Sequence, residues 1–271
     1  MSNHNQYYRD NDFSPTLSAD YTLLMQVGAA LFSYAVIGQN KLLALGENIN
    51  INELSEPADG NEFLLSDYKQ CVIGLPQNGF TFIPVSLFRP DRVADFARFL
   101  DVKANEKVFS QPLDAENQVI YKVNESIATV IANKFDATKT VFGAKGWIMA
   151  AAESNSPDQA IYLNINNDTV ELLNFKEGKL RFYNSFEFKN EDELVYFTSF
   201  VTEELQLQPQ STTVILCGDV EANDKNESRL AEFFHKVELS DLKTIELPEQ
   251  VSSHTVLSLT ALLLCGSSEA H

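Results

Sequence analysis

The sequence predicts an α/β protein of two related halves, each a mixed sheet made of an antiparallel β-meander and helix-linked parallel strands. Three observations carry that prediction. A strand–turn–strand–turn–strand pattern occurs twice, over residues 21–47 and 159–185, at a constant offset of 138 that relates Lys41 to Lys179 and Gln26 to Asn164. The turn signals coincide in the same register, Gly38-Gln39-Asn40-Lys41 lying over Lys176-Glu177-Gly178-Lys179. Beyond the second meander, helical and strand periodicities alternate to the C-terminus, as a sheet with helical crossovers requires.

The N-terminal residues 1–15 are polar and read as a flexible lead-in, without the basic start or apolar stretch of a signal peptide. The first half, residues 16–155, begins with the strand-like runs 22–27, 30–36 and 41–45, followed by a polar connection from Asn48 to Gly60. Residues 61–68 suit a short helix. Strands are expected over 70–74 and 80–85, separated by the turn Pro76-Gln77-Asn78-Gly79. Pro90 opens an amphipathic helix with Val93, Phe96, Ala97 and Leu100 on one face. Strands follow over 107–110 and 118–123, and Asn124 caps a helix bearing Ile127, Val130, Ile131 and Phe135. Compared with the second half, residues 68–123 form an inserted subdomain that precedes the first half's own strand–helix–strand segment. A strand over 140–142 and an alanine-rich helix over 145–153 complete this half.

Loop formers at Ser154-Asn155-Ser156-Pro157-Asp158 mark the boundary, and the second half occupies residues 156–271. After its meander, Asn190-Glu191-Asp192-Glu193 starts a helix whose buried stripe is Leu194, Phe197, Val201 and Leu205, with Phe200 beside it. Val214-Ile215-Leu216-Cys217 is a continuous apolar run of the kind found in strands covered on both faces. Asp224 starts a helix carrying Leu230, Phe233, Phe234 and Val237. Residues 242–247 read as the last strand and 252–264 as a closing helix.

The formal charge is −18, and the twenty basic residues are scattered. That combination excludes a nucleic-acid partner held through its phosphates. Three cysteines (Cys71, Cys217, Cys265) and four histidines show no ligand-like spacing, so no metal site is expected. The most lipid-like run, Val256 to Cys265, is about half of what a membrane-spanning helix needs, and a cytoplasmic protein without membrane contact is expected. Phe142-Gly143-Ala144-Lys145-Gly146-Trp147 lacks the phosphate-loop pattern, and no nucleophile-elbow or zinc-protease motif occurs. The run from Asp219 to Asp224 lacks the glycine and terminal acid of a calcium loop, and reads as a solvated loop ending in a helix cap. Trp147 reads as a core or interface anchor and the nineteen phenylalanines as core.

Residues 21–36, with Leu31-Phe32-Ser33-Tyr34 on the second strand, together with 80–88 and 119–123, carry a family resemblance. Across residues 16–265 the chain resembles a family of uncharacterised bacterial proteins with a duplicated actin-like ATPase fold, two ribonuclease-H-like halves flanking a nucleotide cleft. In working members of that superfamily the first hairpin of each half carries Asp-x-Gly, and a Gly-Gly near a late strand–helix turn approaches the adenosine. The resemblance therefore implies cofactor-binding positions at Gln26 and Gly28, at Asn164 and Asn166, and at Gly218 and Asp219.

The residues at those positions depart from the pattern. Carboxylates neutralise a magnesium–triphosphate, and phosphoryl transfer depends on positioning and charge stabilisation. Gln26 and Asn164 are neutral amides, and Asp219 repels a phosphate placed beside it. The expectation is a degenerate pseudo-ATPase without catalytic residues, metal ligands or a resident cofactor. It would act as a binding or scaffolding module that meets an unidentified protein partner through the 68–123 insertion. Two alternatives stand beside it. One is a nucleotide-binding ATPase that takes ATP and Mg²⁺ using acids such as Asp168 or Asp219, and the other is capture of a small anion or metabolite between the halves.

Overall fold

The computed structural model of the chain describes residues 7–267 apart from Gln77 and Ser156. One unit comprises Met1–Gly146 with Leu262–His271. It contains β1 (Tyr7–Arg9), β2 (Thr22–Val27), β3 (Leu31–Gly38), β4 (Lys41–Asn50), β5 (Gln70–Leu75), β6 (Phe80–Pro84), α1 (Val93–Ala97), β7 (Glu106–Pro112), β8 (Asn117–Asn124), α2 (Glu125–Lys134), β9 (Thr140–Phe142) and the first two residues of α3 (Lys145–Glu153). The other unit, Trp147–Ala261, holds the rest of α3. There follow β10 (Ala160–Asn166), β11 (Thr169–Lys176), β12 (Lys179–Glu187), α4 (Glu191–Glu204), β13 (Thr213–Gly218), α5 (Lys225–Ala231), β14 (Lys236–Leu239) and α6 (Ser253–Thr260). The last helix, α7 (Leu262–Ser267), belongs to the first unit, where it packs on β5 and β2.

Each unit is organised by one central strand. In the first, β2 pairs antiparallel with β3 and parallel with β5, within the order β1-β4-β3-β2-β5-β9. In the second, β10 pairs antiparallel with β11 and parallel with β13, within the order β12-β11-β10-β13-β14. Both central strands are covered on both faces, which is why their sequences read as continuous apolar runs. The 138-residue offset holds strand pair by strand pair: Gln26 faces Ser33, and Asn164 faces Glu171. Even the bulge is duplicated. The β3–β4 register shifts between Val36 and Ile37, and the β11–β12 register shifts between Asn174 and Phe175. A one-residue irregularity shared at the same offset marks two copies of one unit.

The structure departs from the expected elements at several points. Tyr7, Tyr8 and Arg9 are not a lead-in but an edge strand paired with Gly46, Leu45 and Ala44. This segment is tied down by the 2.8 Å Lys41–Asp10 ion pair and by the Arg9 guanidinium lying over the Phe13 and Phe63 rings. Residues 1–6 of the expected lead-in lie outside the described residues. The inserted elements begin after β5 rather than at Tyr68, because Gln70–Leu75 is a core strand beside β2. They therefore lie within the β5-to-β9 crossover, not before it, and form a separate sheet of order β6-β8-β7 with α1 on one face. The division between units falls at Gly146/Trp147, two residues into α3, rather than in the Ser154–Asp158 loop.

In the second unit, α5 ends at Ala231 and Val237 lies on β14, beside Val214 of β13. Residues 242–247 form no strand beyond an isolated bridge at Glu246. The loop is held by its side chains, with Ile245 buried and Thr244 Oγ1 donating to Thr260 Oγ1 at 2.9 Å. On α4, Phe200 is 46% exposed, while Thr198 and Thr202 are fully buried. Their hydroxyls donate to the Leu194 and Thr198 carbonyls, so a polar residue enters the core without an unmet donor. The closing helix breaks at Ala261 into α6, packed on β13, and α7.

Asn174 sits at the bulge, fully buried, where the first unit has Val36. Its Nδ2 donates to the carbonyls of Ala160 (2.8 Å) and Asp158 (3.1 Å). Asn174→Val removes both donated bonds, and urea unfolding is expected to show a loss of about 1–3 kcal/mol. An unchanged unfolding midpoint would show that these bonds do not hold the start of β10.

Candidate functional site

The positions named by the resemblance lie in both units, and each unit is described separately. In the second unit, the two-residue turn at Asn167-Asp168 sets the β10–β11 register and places Asn164 directly opposite Glu171. Asn164 is only 1% exposed. Its Nδ2 donates to Glu171 Oε2 at 2.7 Å, and the Tyr183 hydroxyl donates to Glu171 Oε1 at 2.5 Å. On the other side, the Cys217 thiol approaches Asn164 Oδ1 at 3.6 Å and the Leu163 carbonyl at 3.4 Å. Burial, with a contribution from the Glu171 charge, pushes the Cys217 thiol far above its usual range, so it stays protonated as a donor. Both ends of the amide are thus held within the sheet.

Gly218 has φ +85°, and a Cβ there would lie 2.1 Å from the Ile165 carbonyl and 2.8 Å from Asn164 Oδ1. The glycine is required by its close approach to β10, independent of any ligand. The next residue, Asp219, donates its N–H to the Ile165 carbonyl at 2.7 Å and accepts from Asn167 N–H at 3.2 Å. Although this side chain reaches solvent, the protein crowded around it raises its carboxyl pKa, against the opposing effect of the Asn167 bond. The structure therefore brings Asn164, Gly218 and Asp219 together, whereas Asn166, at the end of β10, and Asp168, on the adjoining turn, are exposed. The Asp219–Asp224 loop ends as expected, with Asp224 Oδ1 capping α5 through Glu227 N–H at 2.8 Å.

In the first unit, Gln26 occupies the position equivalent to Asn164, facing Ser33 where the second unit has Glu171. The longer amide turns toward the C-terminal ends of β5 and β9. A Cβ at Gly74 would lie 2.6 Å from Gln26 Oε1, and one at Gly143 would lie 2.8 Å from Nε2. Among the described residues, Oε1 is buried without a hydrogen-bond partner. Gly28 is part of the hairpin turn, its N–H donating to the Leu31 carbonyl at 2.8 Å.

Sequence reasoning passed over Glu171, Tyr183, Gly74 and Gly143. Glu171 could have been found by counting back across the Asn167-Asp168 turn. The glycines give no such signal, since each is explained only by how closely the Gln26 side chain approaches.

The equivalent positions on the central strands are amides, and Glu171, the nearest carboxylate to Asn164, already accepts from two donors. No cluster of three or more potential metal ligands exists among the described residues. No described helix is long and apolar enough to cross a membrane.

The chain belongs to the family described as "Protein of unknown function (DUF3822)", which matches residues 10–237. No curated protein sequence matches it. It is similar to a Bacteroides thetaiotaomicron protein with an actin-like ATPase fold and unknown function, at TM-score 0.76 and 19% identity, covering 93% of this chain and 99% of that one. Similarity extends to the PilM-PilN type IV pilus biogenesis complex, at TM-score 0.56 and 13% identity, covering 90% of this chain and 98% of that one. The fold is the two-unit α/β actin-like ATPase fold.

Two substitutions test the reading of the second unit. Asn164→Asp sets a second carboxylate against Glu171 and removes its donor, and is expected to cost about 2–4 kcal/mol near neutral pH. One carboxyl of the pair then titrates above its unfolded value, so the deficit grows as pH rises and narrows in acid. A deficit that does not vary with pH contradicts this. Asp219 already has a raised pKa in the fold, so Asp219→Asn is expected to stabilise the protein at neutral pH. That gain should vanish as pH falls through the unfolded carboxyl range, as parallel urea titrations would show.

Proposed function

We propose that this chain is a degenerate actin-like protein, a pseudo-ATPase that serves as a non-catalytic binding or scaffolding module. The observation that carries the reading is the buried Asn164 amide, held between the Glu171 carboxylate and the Cys217 thiol. The superfamily pattern needs a solvated, charged oxygen at that point. Here there is a neutral group whose hydrogen-bonding capacity is directed inward. Gln26 at the same register of the first unit, wedged between Gly74 and Gly143, supports the same conclusion. A protein partner accords with the assembly in which PilM is found with PilN. The strong negative charge favours a protein partner over a nucleic acid.

A second reading is nucleotide binding without the usual acids. It draws on the buried Gln26 Oε1, which has no partner among the described residues.

Thermal unfolding with and without Mg-ATP separates the two. A ligand at a hundredfold excess over its dissociation constant stabilises the native state by about 2.7 kcal/mol. At millimolar Mg-ATP the expected result is no shift. A clear upward shift that disappears in both Gln26→Ala and Asn164→Ala would favour the second reading.

A further inference from the structure

The chain holds one Asn-Gly pair, Asn78-Gly79, and one Asp-Gly pair, Asp59-Gly60. In such pairs the glycine nitrogen can attack the preceding side-chain carbonyl carbon and close a five-membered succinimide. Glycine leaves that approach unhindered because it has no Cβ. The fold decides whether the nitrogen is available, since an amide proton held by an acceptor is lost less readily.

The two pairs are held differently. Asn78-Gly79 leads into β6. If the antiparallel ladder ran on past Phe80–Tyr121, Gly79 would face Lys122 and exchange both backbone bonds with it. Only one is made. Lys122 donates its N–H to the Gly79 carbonyl at 3.0 Å, but the Lys122 carbonyl accepts from Asn78 N–H, at 3.1 Å. Two residues thus oppose one, as in a bulge, and among the described residues the Gly79 N–H has no acceptor. Gly79 has φ +155°, a conformation kept for glycine, and a Cβ there would lie 3.0 Å from Lys122 Cε. Asn78 is exposed, and among the described residues its carboxamide has no hydrogen-bond partner, so nothing ties it away from the glycine nitrogen.

At Asp59-Gly60 the same nitrogen is engaged. Gly60 N–H donates to Glu62 Oε2 at 2.9 Å, and the Gly60 carbonyl accepts from Arg9 Nη2 at 3.1 Å. An ionised carboxylate is also a poor target for a nucleophile. The structure therefore separates one available pair from one protected pair.

We propose that Asn78 is a site of spontaneous backbone modification, by deamidation through a succinimide formed with Gly79. Hydroxide takes the Gly79 N–H proton, the nitrogen bonds to Asn78 Cγ, and the side-chain amide leaves as ammonia. Water then opens the ring at either carbonyl, giving aspartate or isoaspartate at position 78. Isoaspartate routes the main chain through one additional methylene, about 1.5 Å of extra path. The Asn78 N–H and Gly79 carbonyl, both bonded to Lys122, flank that insertion, so at least one of those bonds is lost and the start of the β6–β8 pairing loosens. The inference is independent of the binding-module reading.

Peptide mapping with fragmentation that separates aspartate from isoaspartate tests it, on the full chain held folded at mildly alkaline pH. Conversion at Asn78 is expected, in proportion to hydroxide, at a rate within about tenfold of a synthetic peptide covering residues 74–82. Asp59 should stay unconverted over the same time, and Asn78→Gln should abolish the conversion. A folded chain more than about tenfold slower than the peptide overturns the proposal, because the fold would then be protecting the site. Conversion at Asp59 as fast as at Asn78 overturns it too. Hydrogen exchange at the Lys122 amide should quicken in the isoaspartate fraction but not in Asn78→Asp, which adds the charge without the methylene. Equal exchange in the two would contradict the predicted loosening.

Discussion

The hydrogen bond from Asn164 to Glu171 is the constraint around which the end of the central strand in the second unit is arranged. A carboxylate half-buried in a sheet needs donors, and Glu171 has two, the Asn164 amide and the Tyr183 hydroxyl. An acid at position 164 could not supply one. The neutral residue at 164 therefore belongs to a coupled set in which Glu171 accepts from both the Asn164 amide and the Tyr183 hydroxyl, and the Cys217 thiol faces the amide oxygen. An acid placed at 164 would set two carboxylates against each other and disturb that set.

The two units meet the same geometric requirement with different chemistry. Both place an amide where β2 or β10 pairs antiparallel on one side and parallel on the other. In the first unit the cross-strand neighbour is the smaller Ser33, the parallel neighbour is Gly74, and the longer Gln26 fills the space between two glycines. In the second, Cys217 takes the parallel position, and the shorter Asn164 reaches Glu171 instead. The two units share the backbone register and differ in the side chains that surround it.

Much of this architecture was legible because it depends on local signals. Tight turns at Gly38–Lys41 and Lys176–Lys179 fix the meander registers, and Asn124, Asn190 and Asp224 cap the helices they precede. What stayed hidden depended on contacts distant in sequence. Tyr7–Arg9 is polar and becomes a strand only because the β4 edge and the Phe13–Phe63 aromatic pair receive it. Thr198 and Thr202 enter the core by bonding their own helix, while Phe200, expected beside the stripe, is exposed. The break at Ala261 reflects two helices serving different units, which a single apolar periodicity cannot reveal. At the site, the amides at 26 and 164 could be read directly, whereas the groups that hold Asn164 in the sheet could not.

The side-chain amide of Asn164 offers the most direct test of this account. In a protein labelled with ¹⁵N at asparagine, its NH₂ signal should exchange slowly with solvent and stay in place when Mg²⁺ and a nucleotide triphosphate are added together. A fast-exchanging signal, or one that moves on adding the metal–nucleotide pair, would show a solvent-facing amide that takes part in ligand binding, contrary to the role assigned to it.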